Sequence, residues 1–257
     1  MSLFQAVFLG MVQGLSEFLP ISSSGHLMVF QHLFGIEHDR LTFIVVLNMG
    51  SLLPLLITFR KDVWALMQRP FQKATALLVV ATIPLIIVTV LFESYIESAF
   101  GTIRYLPFGF IVTGIILLLS DRLKANSKDV KDLSFVDAAL IGLAQSAAVM
   151  PGLSRSGSTI TASLFRGLNR EEAARFSFLM AIPTSLGAIL FRASRIAAGR
   201  VLMDELNFVY MGAGFLAAAV SGYLAINFML ALVKKGKLKY FAFYYVFALT
   251  LFIIFIL

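Results

Sequence analysis

The sequence predicts an all-α polytopic membrane protein, with about six transmembrane helices and two re-entrant helix-turn-helix hairpins in an inverted repeat. Three observations predict it. Of the 257 residues, 59% are hydrophobic and only 14% charged, where soluble domains average about 45–50% and about 25%. Apolar runs long enough to cross roughly 30 Å of hydrocarbon as helix recur along the chain. Two further apolar stretches are interrupted mid-way by polar, glycine-containing turns. No Gly/Ser/Pro-rich linker divides the sequence, so residues 1–257 read as a single integral membrane domain.

Taken in order, the first stretch, 1–36, is apolar but broken at Pro20-Ile21-Ser22-Ser23-Ser24-Gly25-His26, a pattern that suits a re-entrant hairpin better than a clean span. Its apolar start, Leu3 to Met11, lacks a signal peptide's basic region and small-residue cleavage site. The first basic residue is Arg40, so the segment is expected to be retained. Spans follow at 41–59, 75–97 and 103–120. A second broken stretch, 133–170, is interrupted by Pro151-Gly152-Leu153-Ser154-Arg155-Ser156-Gly157-Ser158-Thr159, and spans at 173–198, 208–233 and 239–257 complete the chain.

A shift of 132 residues aligns Gly10 with Gly142, Gln13 with Gln145, Ser22 with Ser154, Ser24 with Ser156 and Gly25 with Gly157. Each broken stretch is followed by three spans. An odd number of spans between copies sets repeats of approximately 1–125 and 133–257 in opposite orientations, with the broken helices meeting near the midplane. Charge placement tests this layout, because basic residues gather in cytoplasmic loops. Loops 60–74, 121–132, 166–172 and 234–239 carry 14 of the 21 Lys and Arg residues. The opposite loops, 37–40, 93–104 and 199–207, hold only Arg40, Arg104 and Arg200 beside Glu37, Asp39, Glu93, Glu97, Asp204 and Glu205. Both termini and the first hairpin then face outward, and the second hairpin enters from the cytoplasm. Arg192 and Arg195, near the outer end of their span, fit least well.

The net charge of +7 therefore reports topology. A nucleic-acid partner is not expected, because the basic residues sit in short gaps rather than on a clustered polar surface. The absence of cysteine excludes disulfides, thiolate metal sites and cysteine nucleophiles.

Ionisable residues inside apolar stretches are costly and mark functional sites. The sequence offers Glu17 and His26 in the first hairpin, Arg155 in the second, and Asp137 near the second's edge. Each has a structural alternative: Glu17 as a cap, His26 as a packing residue, Arg155 as a counter-charge. Their place in two matching, hydroxyl-rich breaks favours function. Ser22-Ser23-Ser24-Gly25 and Ser154-Arg155-Ser156-Gly157 stand where half-helices are expected to begin, and helix N-termini attract phosphate. Arg155 adds a planar fork suited to phosphate oxygens. His26 suits proton transfer or nucleophilic attack near neutral pH, and can activate a neighbouring serine. Glu17 can orient His26 or bind a divalent ion. With Gln13 as its only protein companion, that ligand set is thin, and Mg²⁺ or Ca²⁺ would lean on substrate oxygens and water.

The segments Gln13-Gly14-Leu15-Ser16-Glu17-Phe18-Leu19-Pro20-Ile21-Ser22-Ser23-Ser24-Gly25-His26 and Pro151 to Thr159 resemble the two signature motifs of the undecaprenyl-diphosphate phosphatase family, also called bacitracin resistance proteins. The similarity covers essentially the whole chain, including Phe176-Ser177-Phe178-Leu179 before Pro183. It implies a bacterial plasma-membrane enzyme that hydrolyses undecaprenyl diphosphate to undecaprenyl phosphate and inorganic phosphate. That reaction recycles the lipid carrier for peptidoglycan and other wall polymers and confers bacitracin resistance. By position, the resemblance carries over Gln13, Glu17, Ser23 and His26 from the first motif and Ser154, Arg155 and Thr159 from the second. With the hydroxyls of the two breaks added, Glu17, Ser23, His26 and Arg155 are expected to be catalytic, and Gln13, Ser22, Ser24, Ser154, Ser156 and Thr159 substrate-binding. It further implies a site open to the outer face and a divalent cation, Mg²⁺ or Ca²⁺, at Glu17. Gln13 stands where many members have Glu, which weakens a metal role there. Ser23 and His26 both stay open as the nucleophile.

Three other readings account for the residues less well. The type-2 phosphatidic acid phosphatases also combine Ser-Gly-His and Ser-Arg pieces, but require a His six residues after the Arg, where this chain has Thr161. A transporter of lipid phosphate shares the inverted-repeat architecture yet has no need of His26, so flippase activity is expected only as an addition. A scaffold leaves Glu17 and Arg155 unexplained. Elsewhere, Trp64 reads as an interfacial anchor, and His32 and His38 as solvated. Gly212-Ala213-Gly214 permits close helix contact within one chain or across a homodimer.

Overall fold

The structure, a computed structural model, describes residues 1–36, 41–123, 127–198, 207–236 and 238–256. The expectations for Glu37, His38, Asp39, Arg40, Lys124, Arg200, Asp204, Glu205 and Lys237, and for the Arg192 side chain, lie outside the described residues.

The described chain is helical, with one isolated bridge joining Lys128 to Leu168. α1 (Leu3–Phe18) and α2 (Ser23–Leu33) form the first hairpin. It is followed by α3 (Leu41–Thr58), α4 (Arg60–Gln68), α5 (Lys73–Leu91), α6 (Glu93–Phe100) and α7 (Leu106–Asp121). α8 (Phe135–Ala147) and α9 (Arg155–Phe165) form the second hairpin, followed by α10 (Arg170–Ala197), α11 (Phe208–Lys234) and α12 (Lys239–Ile256). The outward faces are as apolar as the core: Val90, Ile115, Leu118, Val220 and Leu224 are all exposed. A helix apolar all round at the surface of a folded chain faces lipid. This is a multi-pass membrane protein.

Of the six expected spans, α5, α7 with its lead-in from Ile103, α10 and α11 are long and apolar enough to cross a bilayer. α3 joins them when taken with α4, from which it bends by 80°. The apolar part of α12 runs over Lys239–Ile253. The structure departs from the expected boundaries at two places. The 60–74 loop contains a helix, because Arg60, Lys61 and Asp62 cannot follow α3 into hydrocarbon; the chain turns and leaves Trp64 and Met67 exposed on α4. Likewise the 75–97 span stops at Leu91, and Glu93 and Glu97 lie on α6, where both pair with Arg195.

Both breaks have local causes. Leu19 precedes Pro20 and takes the extended conformation that proline imposes on its predecessor (φ −71°, ψ 144°), ending α1. Ser22 then caps α2, its Oγ accepting from the Gly25 N–H at 3.3 Å. In the second hairpin Pro151 and Gly152 (φ +87°) fill the turn, and Ser154 Oγ caps α9 by accepting from the Gly157 N–H at 3.1 Å.

Positions 132 apart also make equivalent crossings. A Cβ at Gly10 would collide with the Gly214 carbonyl oxygen as α1 crosses α11, and one at Gly142 would collide with the Ala81 carbonyl oxygen as α8 crosses α5. Gly214 also packs against Phe43 and Leu47, so that part of the small-residue cluster serves the chain's own packing, while Gly212 faces open space.

The basic loops lie together at one end. Arg175 pairs with Asp62, Arg166 with Asp137 (2.5 Å), Lys234 with Glu171 (2.8 Å) and Lys239 with Asp121 (3.3 Å). The second hairpin opens at that end, where Asp137 starts α8 and Arg166 follows α9. The first hairpin opens at the other: Met1, Phe34 and Ile36 cluster with Tyr210 and Met211 at the start of α11, whose far end carries Lys234.

Candidate active site

The two breaks face each other. Ser156 Oγ donates to the Leu19 carbonyl at 3.2 Å, and a Cβ on Gly157 would lie 3.3 Å from Pro20 Cβ. Each break is pinned by the last span of the opposite half. Tyr245 OH on α12 donates to the Pro20 carbonyl at 2.7 Å. Thr113 on α7, 132 positions earlier, reaches the Gly152 carbonyl at 3.3 Å and accepts from the Ser154 N–H at 3.0 Å. Carbonyls freed by a broken helix must find donors when water is absent, and these two side chains supply them.

Between the breaks lies a cleft of about 230 Å³. Its polar wall includes Glu17, Ser22, Ser23, Ser24, Gln145, Ser154 and Arg155; its apolar wall includes Leu85, Phe100, Val149 and Leu153. Glu17, in the last turn of α1, organises the polar wall. Its Oε2 accepts from Ser23 Oγ at 2.6 Å and from Gln13 Nε2 at 3.1 Å, and its Oε1 pairs with the Arg155 guanidinium. The Gln13 amide is also held by Asn48 Oδ1 at 2.9 Å and Ser51 Oγ at 3.2 Å, so Gln13 orients Glu17 from behind.

Among the described residues, two donors at the cleft have no protein partner: Arg155 Nη1 and Gln145 Nε2 are buried and unpaired. A buried donor left unmade costs free energy, so both are ready to meet an anion. Gln145 was not among the expected site residues; its alignment with Gln13 was the only signal that could have found it.

The family model described as bacitracin resistance protein BacA matches residues 6–251. The chain belongs to the bacitracin resistance protein family. Relatives named undecaprenyl-diphosphatase include one from Carboxydothermus hydrogenoformans, 41% identical over 95% of this chain and 94% of its own. One from Halothermothrix orenii is 42% identical with the same coverage. A relative from Bacillus thuringiensis, named undecaprenyl-diphosphatase 4, is 39% identical over 99% of this chain and 97% of its own.

The residues that carried the resemblance to this family divide into three groups. Gln13, Glu17, Ser23 and Arg155 form one bonded cluster, and Ser22, Ser24 and Ser154 line the same cleft. His26, Ser156 and Thr159 are engaged elsewhere. Ser156 bonds the Leu19 carbonyl, and Thr159 bonds Ser177 Oγ at 2.5 Å and the Arg155 carbonyl at 2.9 Å. His26 lies behind Ser22, its Nδ1 on the Ser22 carbonyl at 2.7 Å and its Nε2 on Tyr244 OH at 2.8 Å. The expected convergence of His26 with Glu17 and Arg155 is therefore indirect, through the Ser22 to Ser24 turn.

A divalent cation does not fit this donor set. Glu17 is the one carboxylate, both its oxygens are engaged, and a guanidinium stands against it. Among the described residues no three His, Asp or Glu side chains gather to hold a metal.

Proposed function

We propose that the chain hydrolyses undecaprenyl diphosphate to undecaprenyl phosphate and inorganic phosphate, with Ser23 as the attacking group. The observation that carries this reading is the 2.6 Å bond from Ser23 Oγ to Glu17 Oε2, beside Arg155 and between two capped helix starts. The cleft takes a diphosphate head but not a polyprenyl tail, which stays in lipid beyond Leu85 and Phe100.

Phosphoryl transfer depends on positioning and charge stabilisation. The diphosphate enters against Arg155 Nη1, the Ser22, Ser24 and Ser154 hydroxyls and the positive helix ends. As Arg155 moves onto phosphate oxygens it releases Glu17. The freed carboxylate takes the Ser23 proton while Ser23 Oγ attacks the terminal phosphorus, and the P–O bond to undecaprenyl phosphate breaks. The departing undecaprenyl phosphate takes that proton from Glu17, which then deprotonates a water that attacks the phosphoserine; the Ser23 P–O bond breaks, the proton returns to Ser23 Oγ, and phosphate leaves.

The basic end is the cytoplasmic end on the charge rule. Phe100 of α6 and Ala188 of α10, which lie away from that end, line the cleft; this supports a site open to the outer face of a bacterial plasma membrane.

The test is phosphate release from a prenyl diphosphate by detergent-purified protein. Ser23→Ala and Arg155→Ala are expected to lose activity by about 10²–10³-fold or more; full activity in either would overturn this reading.

A further inference from the structure

His26 has no free nitrogen. Its Nδ1 lies 2.7 Å from the Ser22 carbonyl, which only accepts, so Nδ1 carries the proton. Its Nε2 lies 2.8 Å from Tyr244 OH and therefore accepts from the phenol. The tyrosine ring stacks on the imidazole at 5.8 Å with an interplanar angle of 24°, and the Phe110 ring, tilted by 52°, lies 5.6 Å from it. The clamp meets the chain at an unusual point. Ser22 has φ 65°, the only non-glycine residue with positive φ among the described residues, a conformation that costs an L-residue free energy unless its surroundings impose it. Ser22 is the cap of α2, and the next residue is Ser23.

We propose that Tyr244 is a positioning residue for the phosphatase reaction: through His26 it holds Ser22 in its left-handed conformation and thereby aims Ser23 at Glu17. His26 in this arrangement is a strut between α12 and the α2 cap. The inference rests on the phosphatase reading for its kinetic consequences and on the structure alone for the hydrogen-bond chain.

The fold explains why the task falls to α12. Adjacent tyrosines on that helix do two jobs, Tyr245 fixing the Pro20 carbonyl and Tyr244 fixing His26, so both flanks of the Ile21 to Ser24 turn are referenced to one helix. Tyr244 is 37% exposed and His26 9%. Loss of the phenol oxygen therefore leaves no new buried cavity, and Tyr244→Phe keeps the ring stack.

Two measurements on the full chain in detergent test the proposal. In kinetics, Tyr244→Phe is expected to lower kcat by about tenfold, the effect of one hydrogen bond, with KM within about twofold of wild type. In a His26→Ala background the same substitution is expected to add nothing, because Tyr244 acts through that ring. Unchanged kcat, or losses that multiply in the double variant, would overturn it. In ¹⁵N-histidine spectra, with three histidines to assign, wild-type His26 is expected to show a protonated Nδ1 and a hydrogen-bonded, unprotonated Nε2. Tyr244→Phe should move the Nε2 resonance toward that of an unbonded imine. A proton on Nε2 in wild type, or no change in the variant, sinks the clamp even where kinetics fall. Should the wild type release no phosphate, the phosphatase reading fails while the spectra still decide the clamp.

Discussion

Glu17 Oε1 holds Arg155 in the substrate-free arrangement while Oε2 accepts from Ser23. Transfer of the arginine to phosphate removes its contact with the carboxylate, so proton transfer from Ser23 is tied to the arrival of the anion. Glu17→Gln keeps a hydrogen-bond acceptor for Ser23 but removes the proton acceptor; phosphate release is expected to fall by about 10²–10⁴-fold, read as kcat at saturating substrate. Arg155→Lys retains charge yet loses the fork that spans Glu17 and substrate, and is expected to fall well below wild type in kcat/KM. Glu17 and Arg155 were legible in the sequence because a charge inside an apolar stretch is conspicuous. Thr113, Tyr244 and Tyr245 were not, since a hydroxyl-bearing residue in an apolar span looks like packing until its partner carbonyl is known. Ser156 and Thr159 share the motif with Arg155, but helical geometry points them at Leu19 and Ser177, and motif membership alone does not report direction.

Helix pairs in this protein approach until their backbones touch, and glycine sets the distance. At Gly142 any added side chain runs into the Ala81 carbonyl of α5, and at Gly10 into the Gly214 carbonyl of α11. Gly142→Leu is expected to cost at least about 1–3 kcal/mol by overpacking, seen as a lower Tm in detergent; Gly187→Ala, at a position with open space, is expected to leave Tm unchanged. Span positions could be read from apolar length alone, and the breaks from Pro20, Pro151 and the serine caps. The short helices α4 and α6 could not, because in sequence a charged, amphipathic turn of chain at the membrane surface looks the same as a loop.

Across the whole molecule, charge is sorted by end. The ion pairs of Asp62, Glu171, Asp121 and Asp137 stitch the basic loops together, while Arg195 meets Glu93 and Glu97 at the far end. With no native cysteine, single-cysteine labelling reads the orientation directly. Lys131→Cys is expected to react with a membrane-impermeant reagent only from the cytoplasmic side, and Tyr95→Cys only from outside; reversed labelling would invert the topology. The pinning of the first break sets a clock on biogenesis. The Pro20 carbonyl enters the membrane early in synthesis, but its donor, Tyr245, lies 225 residues later. At about 5–20 residues per second, the ribosome needs roughly 10–45 s to deliver it. Through that interval the first hairpin waits with an unfinished turn, so a nascent chain stalled before α12 carries both sequence motifs and no working site.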